Sequence, residues 1–198
     1  LCLALFAVFA HAAPPSEAAA PVAPAAAERW IASWAAAPLD FRQLAPAGTP
    51  PPVAPDDRAS SGLTLRHQLQ PSVGGSRVRV RFSNRFGTVP LQLSAATVAR
   101  GTGGGAISPT SLRPLRFDGR PGLAIAPGDE AWSDGVDFPV EAGQTLVVSS
   151  YYERAAPLST VHLQPSNASW MSNGNAVAAP RLPCLLYTSD AADEGLGV

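Results

Sequence analysis

The sequence predicts an all-β fold, an antiparallel β-sandwich of jelly-roll-like character. Three observations carry that expectation. Residues 76–83 alternate strictly, with Val78, Val80 and Phe82 on one side and Arg77, Arg79 and Arg81 on the other. Period two marks a strand with one buried and one wet face, and it suits antiparallel sheets better than buried parallel ones. Roughly nine short strand-like runs follow one another at the spacing of sandwich strands, separated by Gly, Pro and Asp turn signals. No stretch has a convincing helical apolar period. Apolar residues make up 46% of the 198, and 21 Pro with 17 Gly supply the turns such a fold needs.

In chain order, residues 1–12 (LCLALFAVFAHA) join a short apolar run to an Ala10-His11-Ala12 site. That combination predicts a partial secretory signal peptide, and so a secreted or periplasmic protein; a buried helix is the alternative. The run is shorter than the roughly 20 residues a membrane helix needs, so no membrane span is expected. Residues 13–28 form an Ala/Pro-rich linker. The β-sandwich domain is expected over 29–175, opening with a strand from Trp30 to Trp34 that Pro38 stops. Residues 42–62 are Pro-rich and predict a surface loop. Leu65, His67 and Leu69 alternate with Arg66, Gln68 and Gln70, predicting a second amphipathic strand over 64–70. A turn over 71–75 is expected to hairpin it to the 76–83 strand.

Further strands are predicted at 91–100, 112–117, 122–125, 130–132, 137–140, 145–152 and 160–164. The run TLVVSSYY at 145–152 is the most β-prone. Gly101, Gly103, Gly104 and Gly105 predict a turn. The pattern of a phosphate-binding loop is absent and the chain holds no Lys. All 14 basic residues are Arg, and Ala, Pro and Gly abound, a bias that indicates GC-rich coding DNA and a bacterial source. Residues 176–183 read as the start of an interdomain linker. Residues 184–198 (CLLYTSDAADEGLGV) look like translated sequencing-adapter read-through; a genuine apolar and acidic tail is the alternative. The natural chain is then expected to continue beyond Pro183.

The net charge of −1 becomes slightly positive without Asp190, Asp193 and Glu194. Neither balance points to a polyanion, and no nucleic-acid partner is expected. Cys2 and Cys184 lie in the signal and the tail, so no disulfide, Cys nucleophile or thiolate metal site is predicted for the domain. Its two histidines are His67, in phase with Leu65 and Leu69, and His162, out of phase with Val161 and Leu163. Either could serve a Ser–His site or be an ordinary strand residue, and no Gly-x-Ser-x-Gly elbow accompanies them. Asp129 with Glu130, and Asp134 with Asp137, could be paired carboxylates or Ca²⁺ ligands. Their Gly-containing turns explain them without a ligand. Arg66, Arg77, Arg79 and Arg81 would form a basic face, read as solvated or as an interface. Trp30, Trp34, Trp132 and Trp170 offer either a sugar-stacking platform or buried core rings. Trp132, Trp170, Arg77, Arg79 and Arg81 are the candidate glycan or interdomain contacts. No catalytic residue, metal or cofactor is assigned.

Several blocks, in order, carry a family likeness. They are Trp30-Ile31-Ala32-Ser33-Trp34-Ala35-Ala36-Ala37-Pro38, Leu65-Arg66-His67, Gly75-Ser76-Arg77 through Pro90-Leu91, Ala95-Ala96-Thr97-Val98-Ala99, Leu115-Arg116-Phe117-Asp118-Gly119-Arg120, and Ile125-Ala126-Pro127-Gly128 followed by Ser133-Asp134. The series, spanning 30–163, resembles the amino-terminal β-rich region of secreted bacterial SGNH (GDSL-type) ester hydrolases. The resemblance implies a following α/β/α hydrolase domain that carries a Gly-Asp-Ser nucleophile block, Gly and Asn oxyanion donors and an Asp-x-x-His pair. None of these motifs occurs here; Gly128-Asp129-Glu130 lacks the Ser. The implied role is therefore a non-catalytic domain of a carboxylic-ester hydrolase, with that catalytic domain as its partner. A glycan-binding module and a free-standing structural or adhesion domain are the alternatives.

Overall fold

The computed structural model describes residues 28–44, 62–154, 156–157, 159–161 and 168–187, the last four as backbone only. The fold described below belongs to the unit Ile31–Val198. Residues 45–61 of the expected 42–62 loop, His162 and the rest of the 160–164 strand lie outside the described residues.

The fold is all-β and antiparallel. In chain order its strands are β1 (Leu39–Asp40), β2 (Leu63–Leu69), β3 (Gly75–Val78), β4 (Arg81–Ser83), β5 (Leu91–Gly103), β6 (Ala106–Ile107), β7 (Arg113–Leu115), β8 (Leu123–Ile125), β9 (Glu130–Trp132), β10 (Val136–Val140), β11 (Leu146–Tyr152), β12 (Thr160–Val161), β13 (Ser169–Asn173) and β14 (Cys184–Tyr187). One helical turn, α1 (Phe41–Leu44), follows β1. Among the described residues no helix is long and apolar enough to cross a membrane.

The main sheet runs β14-β13-β2-β11-β5-β6, with β7 and β8 also on β5. Three two-stranded ladders accompany it: β3 with β10, β4 with β9, and β1 with β12. The core draws on both sets. Leu93, Ala96, Val98, Leu146 and Val148 from the main sheet meet Phe138 and Val140 from β10, with Val78, Val80 and Phe82 packed against them. The rings of Phe82 and Phe117 meet edge to face at 5.7 Å, an arrangement that adds about 0.5–1.5 kcal/mol beyond area burial.

The alternation at 76–83 therefore faces the core as predicted, but the single strand is two. β3 pairs with β10 and β4 pairs with β9, and the chain changes partner at Arg79 and Val80. Ser133 bridges the break. Its Oγ accepts from Val80 N at 2.9 Å, and its own N–H donates to Val80 O at 2.8 Å. The expected β2–β3 hairpin does not form. β2 pairs with β11 and β13 in the main sheet, and β3 belongs to a separate ladder. Pro71 to Gly74 thus changes sheets rather than closing a two-strand turn. The expected 30–34 strand is also absent: residues 31–38 have no regular structure. Ser33 ties that segment down, accepting from Ser72 N at 2.8 Å and donating its hydroxyl to Val73 O at 2.7 Å.

The largest departure concerns the second face of the main sheet. Val147 and Ser149 on β11, Arg66 and Thr64 on β2, and Thr97 and Ala99 on β5 are all buried. Residues 174–182 and the Gly103-Gly104-Gly105 turn cover Arg66, Thr64 and Thr97, whereas Val147 and Ala99 pack with Ile107 and Leu112. Residues 176–183, read as the start of a linker, pack here, with Val177 and Leu182 buried. Arg66, expected on a wet basic face, is fully buried. Its guanidinium donates to Ser149 Oγ, Gly105 O and Ala179 O, each at 2.8 Å. Thr64 Oγ1 donates to Gly174 O at 2.6 Å, and Thr97 Oγ1 to Val177 O at 3.0 Å. A segment without secondary structure can cover a sheet because its carbonyls find donors on that sheet.

Candidate functional site

Two places on the domain gather chemically able side chains. The first is an exposed ridge on the β4–β9 ladder. Arg81 lies directly across from Trp132 in the register. The Arg79 guanidinium carbon sits 4.5 Å from the Trp132 ring centroid, and that of Arg81 sits 5.4 Å away. Arg81 also pairs with Glu130 at 3.1 Å, and Arg77 with Asp137 at 3.0 Å. Trp132 remains 50% exposed, an unusual share for an indole. Four of the five predicted contact residues, Arg77, Arg79, Arg81 and Trp132, therefore lie on two ladders and the break between them. The fifth, Trp170, does not join them. It is buried on β13, across from Arg66, and a Cβ added at Gly105 would come within 2.9 Å of its indole. Its ring is a wall of the domain rather than a platform for sugar.

The predicted carboxylate pairs divide between separate tasks. Asp134 accepts from Asp118 N at 3.0 Å and Gly119 N at 2.8 Å, closing that turn. Asp137 and Glu130 hold the two arginines named above.

The second place is a cavity of about 190 Å³. His67, Val148, Ser150 and Tyr152 line it from the main sheet, Phe82 and Ser83 from β4, and Trp34 from the irregular segment. Period two puts His67 on the core face, as its phase predicted. His67 Nδ1 lies 2.8 Å from Ser169 Oγ across the β2–β13 pair. Burial pushes the imidazole below its ordinary pKa and holds it neutral. Burial likewise pushes the Tyr152 phenol up, with the Ser150 hydroxyl partly opposing the shift.

A hydroxyl–imidazole contact is the beginning of acyl-transfer machinery. Here it uses Nδ1, Ser169 is buried in mid-sheet, and among the described residues no carboxylate partners His67. The contact satisfies a buried ring nitrogen and orients the ring. Sequence reading did not single out Ser150, Tyr152 or Ser169. The available signal was Val148-x-Ser150-x-Tyr152, in which polar groups occupy the core phase of the most β-prone strand.

The His67 shift has a consequence for stability. The unfolded imidazole takes up a proton near pH 6.5, whereas the folded one resists it to lower pH. Stability is then full above the unfolded value and falls as pH drops below it, because the unfolded state binds more protons. Melting temperature measured from about pH 7 to about pH 5 is expected to fall more in the native protein than in His67→Gln. Parallel curves for the two would contradict the assignment.

No protein-family model matches the chain, and no curated protein matches it either.

Proposed function

We propose that this chain is a non-catalytic β-domain of a secreted or periplasmic bacterial ester hydrolase of the SGNH type. On this reading the Arg79–Trp132–Arg81 ridge meets the catalytic domain of the same parent. The observation that carries the reading is what the residues of the family likeness do. They tie this domain together. Arg66 holds the cover of the main sheet. Asn84 is buried, and its side-chain amide donates to Val89 O and Ile125 O at 2.9 Å each. Ser133 bridges the β3–β4 break, and Asp134 closes the turn at Asp118 and Gly119.

The ridge supports the second half of the reading. Aromatic and Arg side chains are what protein interfaces favour at their centres. Two guanidiniums already sit against the Trp132 ring and compete with a sugar for its faces, which favours a protein partner over a glycan. In the full parent, or between separately produced domains, Arg79→Glu combined with Trp132→Ala is expected to weaken domain association about tenfold or more, the scale of a hot-spot loss. Unchanged association would remove the ridge from the reading. Glycan pull-down that is lost on Trp132→Ala would replace it with the carbohydrate-binding alternative.

A further inference from the structure

We propose that the cavity under Trp34 is a binding site for a small uncharged aromatic molecule carrying one hydrogen-bonding group, of the size of phenol. The inference goes beyond the accessory-domain reading and does not rest on it. Size is the first argument. The cavity holds about 190 Å³, and an engineered apolar cavity of about 150 Å³ takes up benzene. One six-membered ring with a single substituent therefore fits.

The lining gives the chemistry. Leu69, Val80, Phe82 and Val148 make most of the wall apolar, and Trp34, 44% exposed, stands where the cavity meets solvent. Among the cavity's polar lining groups, which include Ser83, Ser150 and Tyr152, the one oriented by a fixed contact across the sheet is His67. Nδ1 is taken by Ser169, which fixes the ring. No buried side-chain nitrogen or oxygen among the described residues is left without a partner. His67 is part of the cavity lining, and with Nδ1 held by Ser169 the nitrogen assigned to a ligand is Nε2. A neutral imidazole held through one nitrogen presents the other as a single directed donor or acceptor. Ser169 can either accept from or donate to Nδ1, so a hydroxyl on the ligand can be matched in both tautomers.

The site suits a neutral ligand: Arg81, the cation in the lining, is already paired with Glu130 and lies over Trp132, and most of the remaining wall is apolar.

The test is a titration of the full chain with phenol and, separately, with toluene, which has the same shape and no hydroxyl. Amide and side-chain NMR shifts are followed. Phenol is expected to shift Leu69, Phe82 and Val148 saturably in the millimolar range, about fivefold more tightly than toluene, the worth of one hydrogen bond. His67→Leu is expected to abolish that preference while leaving toluene binding in place. Absence of saturable shifts at the cavity residues would overturn the site. Equal binding of phenol and toluene to the native protein would overturn the role given to His67, and that comparison decides the matter should His67→Leu fail to fold.

Discussion

Arg66→Met is expected to lose about 3–5 kcal/mol of folding free energy, the cost of leaving several buried acceptors without their donor. Met keeps much of the volume and removes every donor. Gly105 O, Ala179 O and Ser149 Oγ would then lose their shared partner, and a buried carbonyl left unsatisfied costs about 1–3 kcal/mol. Burial itself opposes the arginine, pulling its pKa below the ordinary value. The hydrogen bonds to backbone carbonyls outweigh that penalty because they also fix residues 174–182 over the sheet. Arg66→Lys is expected to be nearly as damaging, since an ammonium cannot fork to three separated acceptors. Urea midpoints of the two variants check this. A loss under about 1 kcal/mol in Arg66→Met would show that the cover is held by something else.

A second large effect is expected at the knot formed by Asn84 and Gly87. Asn84 takes part in five hydrogen bonds. Its amide donates to Val89 O and Ile125 O. Its backbone N–H donates to Asp129 O, and its carbonyl accepts from Gly87 and Gly128. It joins the end of β4 to the turn before β5 and to the β8–β9 turn. Asn84→Ala removes two buried side-chain bonds and is expected to lose about 2–3 kcal/mol. Gly87→Ala is expected to lose a similar amount by another route, because a Cβ there would overlap the Asn84 amide. The pair should be strongly non-additive. With the amide gone, the Cβ has nothing to strike, so the double variant should be hardly less stable than Asn84→Ala alone. Additive losses would contradict the geometry.

Local pattern made much of this fold legible. Glu130–Trp132 is read as it stands, and Leu146–Tyr152 to within one residue, because each is a β-prone run between clear turns. The inward phase of Val78, Val80, Phe82 and His67 follows from period two alone. Partner choice does not follow from period. Nothing in 64–70 or 76–83 says that one strand enters the main sheet and the other a separate ladder, so a short turn between them reads as a hairpin. Arg66 alternates with Leu65 and His67, which places it on the wet side of any strand considered alone. What buries it is a segment a hundred residues further along, with no apolar period to announce it. β13 escaped notice for a related reason: SWMSN is short and polar at both ends, and its burial comes from the neighbours it meets.

The candidate contacts were legible in part. Arg77, Arg79 and Arg81 share a face by alternation, but only the β4–β9 register brings Trp132 between two of them. Trp170 has the same composition signal and the opposite fate, because β13 lies in the main sheet, where its ring packs against Gly105. The cavity was not legible, since it forms between β2, β11 and β4, which are joined only through the fold.

The most direct test of the accessory-domain reading is the coding sequence that follows the Pro183 codon in the source DNA, read from an independent clone. The reading predicts that it continues in frame into a Gly-Asp-Ser block, with an Asp-x-x-His pair further on. A stop codon soon after Pro183, or an open frame without those motifs, would contradict it.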